Sequence, residues 1–292
     1  MTAFAIKLIA TASMLIDHAG YIMLLSGDVT GAAYELMRAL GRPAFVLFSF
    51  LLVNGYAHTR DSRAYLTRLI MLAVISQGAF TLAFSAGNYS AALSPSAELS
   101  LVSLPTWNYC ALIAVMLLCA LSAPRDRRGR MLIWLGAALI LPCIRLDAFS
   151  LTLIAEDLNV FYTLAIGLAL IAGLDGLIRI KGAREAAGLL AAVIAALTLQ
   201  GRADYGYAGL ALILALYAVR ESRPAQICAA GLWCVLEYYV GLHSTKYALA
   251  ALSALVPMAL YSGRRGARMR GFYAVYPVHL IIFSLYNILI SR

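Results

Sequence analysis

Acidic and imidazole side chains interrupt segments that are otherwise apolar, and these are the residues whose types could do chemistry. Asp17 and His18 are adjacent in the segment MLIDHAGY. A carboxylate near an imidazole can orient the ring and raise its basicity, which suits a general base. Ionisable groups inside apolar spans are costly and therefore point to function. The alternative interpretation is a buried structural ion pair, with an arginine as the partner of Asp17.

Two arginines follow at helical spacing. Arg38 and Arg42 stand four residues apart, so they share one face of a helix. They could pair with Asp17, or they could stabilise negative charge that develops during a reaction. The alternative is that both side chains extend to the membrane interface.

A second polar group lies at the opposite end of the same predicted span. Asn54 and His58 are again four residues apart, and Arg60, Arg63 and Arg68 follow them. Such a basic mouth suits an anionic ligand that carries phosphate. The alternative is a positively charged loop after a capped helix end.

Three further positions are weaker candidates. Asp204 in ADYGYAG precedes a predicted helix and can cap its N-terminus. His279 in YPVHL follows Pro277, which can kink the last helix, although an isolated histidine is usually a packed bundle residue. Asn159 in NVFYTL carries less signal. The cysteines and histidines have no metal-ligand spacing, so no metal site is predicted.

The composition indicates what must position these residues. The chain has 292 residues, of which 63% are hydrophobic and 13% charged. Soluble domains are about half apolar and about a quarter charged, so a soluble protein is excluded. We predict an all-α, polytopic transmembrane helix bundle of ten or eleven spans in a single domain, 1–292. The candidate spans are 4–25, 40–57, 65–86, 104–121, 131–144, 159–177, 186–199, 205–219, 225–241, 247–262 and 272–291.

Charge alternates between the loops. Most of the 23 Lys and Arg residues fall in every second loop. These basic loops are 60–68, 125–130, 179–184, 220–223 and 264–270. Acidic residues dominate the other loops: Asp28, Glu35, Glu98, Asp147, Glu156, Asp157, Asp204 and Glu237. Basic loops stay in the cytoplasm, so we predict a cytoplasmic N-terminus and an external C-terminus, and we read the net charge of +9 as topology rather than nucleic-acid binding.

The residues alone leave two functions open. A bundle with acid–base groups in its outer half and a basic inner mouth fits a transporter of a small anion. It equally fits an enzyme whose donor enters from the cytoplasm and whose acceptor lies outside. A third alternative is a purely structural component of a secretion apparatus.

Several segments together resemble one family. They are KLIATASMLIDHAGY, LGRPAFVLFSFLLVNGYAHTR, YLTRLIMLAVISQGAF, NVFYTLAIGL, ADYGYAGLALIL and YPVHL. In this order they resemble the TraX family, membrane proteins linked to N-terminal acetylation of conjugative pilin. TraX proteins look related in turn to transmembrane acyltransferases, including glycan O-acetylases. Pro43 directly after Arg42, and Asn54 in place of an acidic residue, depart from the family's tendencies.

The resemblance implies a bacterial inner-membrane acetyltransferase. Its donor would be cytoplasmic acetyl-CoA, and its acceptor the N-terminal amine of pilin or a pilin-like protein, or else a sugar hydroxyl. His18 would take the amine proton, Asp17 would orient His18, and Arg42 or Arg38 would stabilise the thioester oxyanion. The residues expected at the CoA phosphates are Asn54, His58, Arg60 and Arg68, and those expected along the substrate path are Asn159, Asp204, Tyr205 and His279. The oligomeric state stays open.

Overall fold

The computed structural model describes residues 1–84, 158–180, 182–267 and 271–290, and within them the chain is helical. Its extended pairing there is an isolated bridge between Leu158 and Ala203. The predicted all-α fold is therefore confirmed over the described residues. The predicted spans 104–121 and 131–144, and the basic loop 125–130, lie outside them.

The chain divides into two compact units. The single domain 1–292 stays a prediction. The first unit joins Met1–His58 to Ala211–Arg292, and the second is Thr59–Leu210. In chain order the helices are α1 Ala3–Leu25, α2 Gly31–Gly41, α3 Pro43–Ala57, α4 Ser62–Phe84, α5 Val160–Ile180, α6 Ala183–Leu199, α7 Gly206–Ala218, α8 Arg223–Cys234, α9 Thr245–Leu252, α10 Leu255–Ala259 and α11 Val275–Ile290. A π-helical segment, Val235–Gly241, continues α8, and short 3₁₀ turns precede α7 and α11.

Within the part of the chain that the structure describes, three helical stretches are long and apolar enough to cross a membrane: Ala3–Leu24, Gly31–Ala57 and Val160–Ile180. At 1.5 Å per residue, the 23 residues of α1 reach about 35 Å, which matches a bilayer core with some tilt. Thr2 begins this helix because its hydroxyl accepts a hydrogen bond from the backbone N–H of Ala5 at 3.3 Å. With the composition, these helices make the chain a membrane protein.

The second predicted span starts earlier than expected. We predict a start at residue 40, with Glu35 in a loop, but α2 already begins at Gly31. The segment GAAYELMRALG mixes apolar and charged residues, so hydropathy alone does not mark it as part of a span. Glu35 and Arg38 therefore lie on a helix.

Pro43 shapes the junction between α2 and α3. Proline has no N–H and its ring crowds the preceding turn, but it is tolerated at the first position of a helix. Arg42 keeps helical backbone angles, φ −56° and ψ −34°, while its N–H bonds to the carbonyl of Ala39 at 3.1 Å. The carbonyl of Arg38 is then bound by the Nε–H of the Arg42 side chain at 3.0 Å. The junction thus fixes the direction of the Arg42 side chain.

Two glycines bring α1 and α2 close together. A Cβ atom on Gly20 would lie 2.7 Å from Cβ of Met37, and one on Gly41 would overlap the Asp17 side chain. Both positions therefore require the absence of a side chain. Gly41 in particular seats Asp17 against the end of α2.

Backbone contacts gather several predicted cytoplasmic segments at one end of the first unit. The N–H of Ala3 bonds to the carbonyl of Arg264 at 2.9 Å, and the N–H of Ser262 bonds to the carbonyl of Met1 at 2.7 Å. Arg223 donates from Nη1 to the carbonyl of Tyr261 at 2.6 Å. The N-terminus and two basic loops thus share one end, as the charge pattern requires.

In the second unit, α4, α5 and α6 are joined by short polar contacts near the start of α5. Asn159 caps α5, because its side-chain oxygen accepts from the backbone N–H of Phe161 at 3.0 Å. Gly206 has a φ of +46° and Tyr205 a φ of +64°, so the chain turns through left-handed geometry just before α7. Glycine suits position 206 because it adopts a positive φ without steric cost.

Candidate active site

The centre of the site is a carboxylate held by two arginines within the first unit. Arg38 donates from Nη1 to Oδ2 of Asp17 at 2.5 Å, and Arg42 donates from Nη2 to Oδ1. The side chains of Asp17 and Arg42 are 13% and 10% exposed, and that of Arg38 is 23% exposed. Two guanidinium groups and one carboxylate leave the cluster with a net charge of about +1. A buried site with an excess of positive charge favours an anion or a developing oxyanion.

Aromatic rings surround the arginines. The guanidinium carbon of Arg42 lies 5.6 Å from the ring centre of Tyr247 and 5.9 Å from that of Tyr238. Arg38 lies 5.8 Å from the ring centre of Tyr21. Arginine stacks well on aromatic faces, and these contacts hold the cations where water is scarce.

Tyr247 links this cluster to Glu35, at the end of the first unit that lies away from the N-terminus. Its hydroxyl donates to Oε2 of Glu35 at 2.8 Å, and Nζ of Lys246 lies 2.6 Å from the same oxygen. The Tyr247 hydroxyl is the donor in this contact, because the carboxylate of Glu35 can only accept.

His18 lies next to Asp17 on α1 and contacts a second histidine. Nδ1 of His18 and Nε2 of His279 are 2.8 Å apart, and the two rings stack at 5.1 Å with an interplanar angle of 19°. The residues are 9% and 6% exposed. Tyr276 packs edge-on against both rings, at 6.1 Å from His18 and 5.2 Å from His279.

The sequence predicts these residues as site candidates, and the structure shows how they are arranged. An arginine partner for Asp17 is one of the alternatives that the sequence leaves open, and the structure provides both Arg38 and Arg42. His279, expected along a substrate path, is here the partner of Nδ1 of His18. Glu35, Tyr238, Tyr247 and Tyr276 were missed. The signal for Tyr247 was its place beside Lys246 at a predicted outer helix start.

The predicted basic mouth contains exposed cations and local backbone contacts. Nδ2 of Asn54 donates to the carbonyl of Phe50 at 2.8 Å, and Nδ1 of His58 lies 2.8 Å from the carbonyl of Asn54. His58 ends α3 and is exposed. In the second unit, Arg60 and Arg68 are exposed. These side chains are accessible to a soluble anion.

The remaining predicted residues lie in the second unit. Nδ2 of Asn159 donates to the carbonyl of Ala73 at 2.7 Å and to Oε1 of Gln77 at 2.9 Å. The carboxylate of Asp204 accepts from the backbone N–H of Tyr205 at 3.0 Å, just before α7. These bonds go to backbone groups and a neutral amide. Among the described residues, no group of three or more His, Cys, Asp or Glu could hold a metal ion.

Comparisons with known proteins agree with the family that the sequence resembles. The profile of the family described as TraX protein matches residues 3–121 and 109–287. A 76-residue stretch, 26% of the chain, is 38% identical to the probable fimbrial assembly protein FimC, serogroup H1, of Dichelobacter nodosus. That stretch spans 30% of the length of this relative. No solved structure matches the chain.

Proposed function

The chain belongs to the TraX family, and on that premise we propose that it is an integral-membrane acetyltransferase. It transfers an acetyl group from cytoplasmic acetyl-CoA to the N-terminal amine of pilin or a pilin-like protein at the outer face of the bacterial inner membrane. The observation that carries the proposal is the buried, net-positive cluster of Asp17, Arg38 and Arg42 beside the imidazole of His18. A fimbrial assembly protein among its relatives supports a pilin-type acceptor.

In this mechanism His18 is the general base. The neutral acceptor amine attacks the thioester carbonyl, a carbon–nitrogen bond forms, and His18 takes the proton that the amine loses. The carbon–sulfur bond then breaks, and the CoA thiolate leaves and receives that proton. General base catalysis of this kind contributes about 10²- to 10⁴-fold to a rate.

Arg38 and Arg42 stabilise the oxyanion that forms on the thioester carbonyl. Their positive charge exceeds that of their carboxylate partner, and charge is stabilised most effectively in a site that excludes water. Asp17 holds both guanidinium groups in place through its two oxygens. We therefore assign Asp17 to the arginines rather than to the orientation of His18.

The donor enters from the basic end. Acetyl-CoA carries phosphates, and the exposed side chains of His58, Arg60 and Arg68 are suited to bind them, with Asn54 behind them in the helix. The N-terminus and loops 220–223 and 264–267 lie at one end of the first unit. We place this end in the cytoplasm.

The test is acetyl transfer by purified full-length protein in detergent, with acetyl-CoA and a peptide that carries a pilin N-terminus. We expect His18→Ala to lower kcat by about 10²-fold or more, with unchanged thermal unfolding. Arg68→Ala should raise KM for acetyl-CoA and leave kcat alone. The matched control is Arg179→Ala, because Arg179 is an exposed arginine paired locally with Asp175. Normal turnover in His18→Ala would remove the mechanism.

The acceptor and the function class are separated by two further measurements. Acetylation of a glycan hydroxyl but not of the peptide would assign the chain to glycan O-acetylation. The positive cluster also fits a small-anion transporter, which should move a labelled anion into proteoliposomes without acetyl-CoA. Uptake that is lost in Arg42→Ala, together with no binding of acetyl-CoA, would favour the transporter.

A further inference from the structure

The neighbours of the two buried histidines determine which ring donates and which accepts the hydrogen bond between them. Resting on the proposed acetyl transfer, we infer that His279 is a positioning residue: it fixes the tautomer of His18 so that Nε2 of His18 is the basic atom. The inference depends on three atoms in a row, the carbonyl oxygen of Val275 and one ring nitrogen from each histidine.

The row starts at a group that can only accept. Nδ1 of His279 lies 2.9 Å from the carbonyl oxygen of Val275, one helical turn earlier. A carbonyl has no proton to donate, so Nδ1 of His279 must carry the hydrogen. In a neutral imidazole the other nitrogen is then the acceptor, which makes Nε2 of His279 a lone-pair site.

The same donor–acceptor argument applies to His18. Its Nδ1 lies 2.8 Å from the lone-pair nitrogen of His279, so it must donate and carry the hydrogen. Nε2 of His18 then bears the lone pair. A free imidazole at neutral pH is a mixture of two tautomers, and this row selects the one in which Nε2 can accept a proton from an amine.

The alternative is a doubly protonated His279, and the surroundings oppose it. His279 is 6% exposed, and burial disfavours a charged ring. The ionisable groups around the pair are Arg38 and Arg42 on the α2–α3 segment, Asp17 on α1 and Tyr276 on α11. Their sum is positive, so a further cation at the pair would be repelled. The neutral row is the arrangement that fits.

During the reaction the same contact helps to accommodate the proton. When Nε2 of His18 takes the amine proton, the ring becomes a cation whose Nδ1–H still points at Nε2 of His279. A hydrogen bond donated by a charged group is stronger than one from a neutral group. His279 thus stabilises the protonated form of His18 in a region where the arginines oppose it. The proton returns to the leaving thiolate, so the pair ends as it began.

The tautomer can be measured without any activity. The chain contains four histidines, so ¹⁵N-histidine labelling gives few ring signals, and single substitutions assign them. In the full-length protein in detergent we expect His18 to carry its hydrogen on Nδ1. In His279→Leu the signal should move toward the tautomer with hydrogen on Nε2. In His279→Gln the side-chain oxygen can still accept, so the wild-type tautomer should be retained.

Activity provides the second readout. We expect His279→Leu to lower kcat by about tenfold or more, with KM for acetyl-CoA unchanged, and His279→Gln to recover part of the loss. The pH at which kcat reaches half its plateau should fall in His279→Leu, because a protonated His18 then loses its acceptor and gives up its proton at lower pH. Ser284→Ala is the control on the same helix, since the Ser284 hydroxyl donates to the carbonyl of Leu280 one turn earlier and Ser284 has no part in the proposed chemistry.

The outcomes separate this inference from the proposed function. A His18 signal with hydrogen on Nε2 in the wild type, or one unchanged in His279→Leu, overturns the inference even if the enzyme is active. The expected tautomer in a protein that transfers no acetyl group leaves the geometry standing and removes the proposed function. If His279→Leu does not fold, the Gln variant and the wild-type signal still decide.

Discussion

The two units each bury a polar cluster, and the clusters differ in charge. In the first unit, Asp17, Arg38 and Arg42 are ionised groups with a net positive charge. In the second unit, Gln77, Asn159, Thr163 and Gln200 are neutral side chains that bond to one another and to backbone carbonyls.

The difference indicates what each cluster is for. A network of neutral side chains joined by hydrogen bonds ties helices together without burying a net charge. A buried excess charge has a large desolvation cost, and such charges are found mainly where function requires them. We therefore expect substitutions in the first cluster to remove activity, and those in the second to weaken the fold alone.

The largest effect should come from Asp17→Asn. The substitution leaves Arg38 and Arg42 buried and facing each other without their carboxylate, which we expect to cost about 3–5 kcal/mol of unfolding free energy. Thermal and denaturant unfolding in detergent measure it. The control is Glu221→Gln, because Glu221 is 88% exposed and an exposed pair contributes at most about 1 kcal/mol. Equal losses in both variants would show that the buried cluster is no more important to stability than a surface pair.

A smaller effect is expected from Gly41→Ala. The added Cβ overlaps the Asp17 side chain, so α1 and α2 must separate, at a cost of up to about 3 kcal/mol. Displacement of Asp17 should also lower kcat. Gly31→Ala lies on the same helix with nothing within 4 Å of the new Cβ, and it should be neutral. If Gly41→Ala keeps full activity and stability, the close approach does not position the cluster.

The neutral cluster should respond in stability alone. Asn159→Ala removes bonds to Ala73 and Gln77 and the cap of α5, and we expect a loss of about 2 kcal/mol of unfolding free energy. KM and kcat for acetyl transfer should stay at wild-type values. Thr67→Ala, which removes a bond within a single turn of α4, is the control. A raised KM for the acceptor would instead return Asn159 to the substrate path and erase the contrast between the clusters.

Composition and charge were enough to predict the helical membrane fold, and they left an arginine partner for Asp17 as one of the open alternatives. A charge in an apolar span needs a partner, and arginines at positions 38 and 42 offered a suitable face. The start of α2 was not predictable from hydropathy, because its charged residues face the cluster rather than lipid. Pro43 was a visible signal for the junction, since a proline cannot donate to the carbonyl of Ala39. The backbone N–H of Arg42 binds that carbonyl instead, and the Arg42 side chain binds the carbonyl of Arg38.

The contact between His18 and His279 was beyond the sequence. The two residues are 261 positions apart, so no local spacing pattern links them. Their contact depends on how α1 packs against α11, a helix that begins only at Val275, after the 3₁₀ turn Phe272–Ala274.

The smallest effect is expected at the end of the first unit away from the N-terminus, where an exposed contact contrasts with both buried clusters. Hydrogen bonds from Ser26 and Tyr286 lower the pKa of Asp28 below its ordinary value of 3.8. A carboxyl whose pKa is lower in the folded state adds stability above its unfolded pKa, and loses it as the pH falls through the folded value. Tyr286→Phe removes one of these bonds, so it should lower the melting temperature slightly at pH 7, and the difference should vanish as the pH falls below the folded pKa of Asp28. Melting curves of both proteins across that range measure the difference. A gap that widens on acidification would mean that the Tyr286 hydroxyl stabilises this end through something other than the charged Asp28.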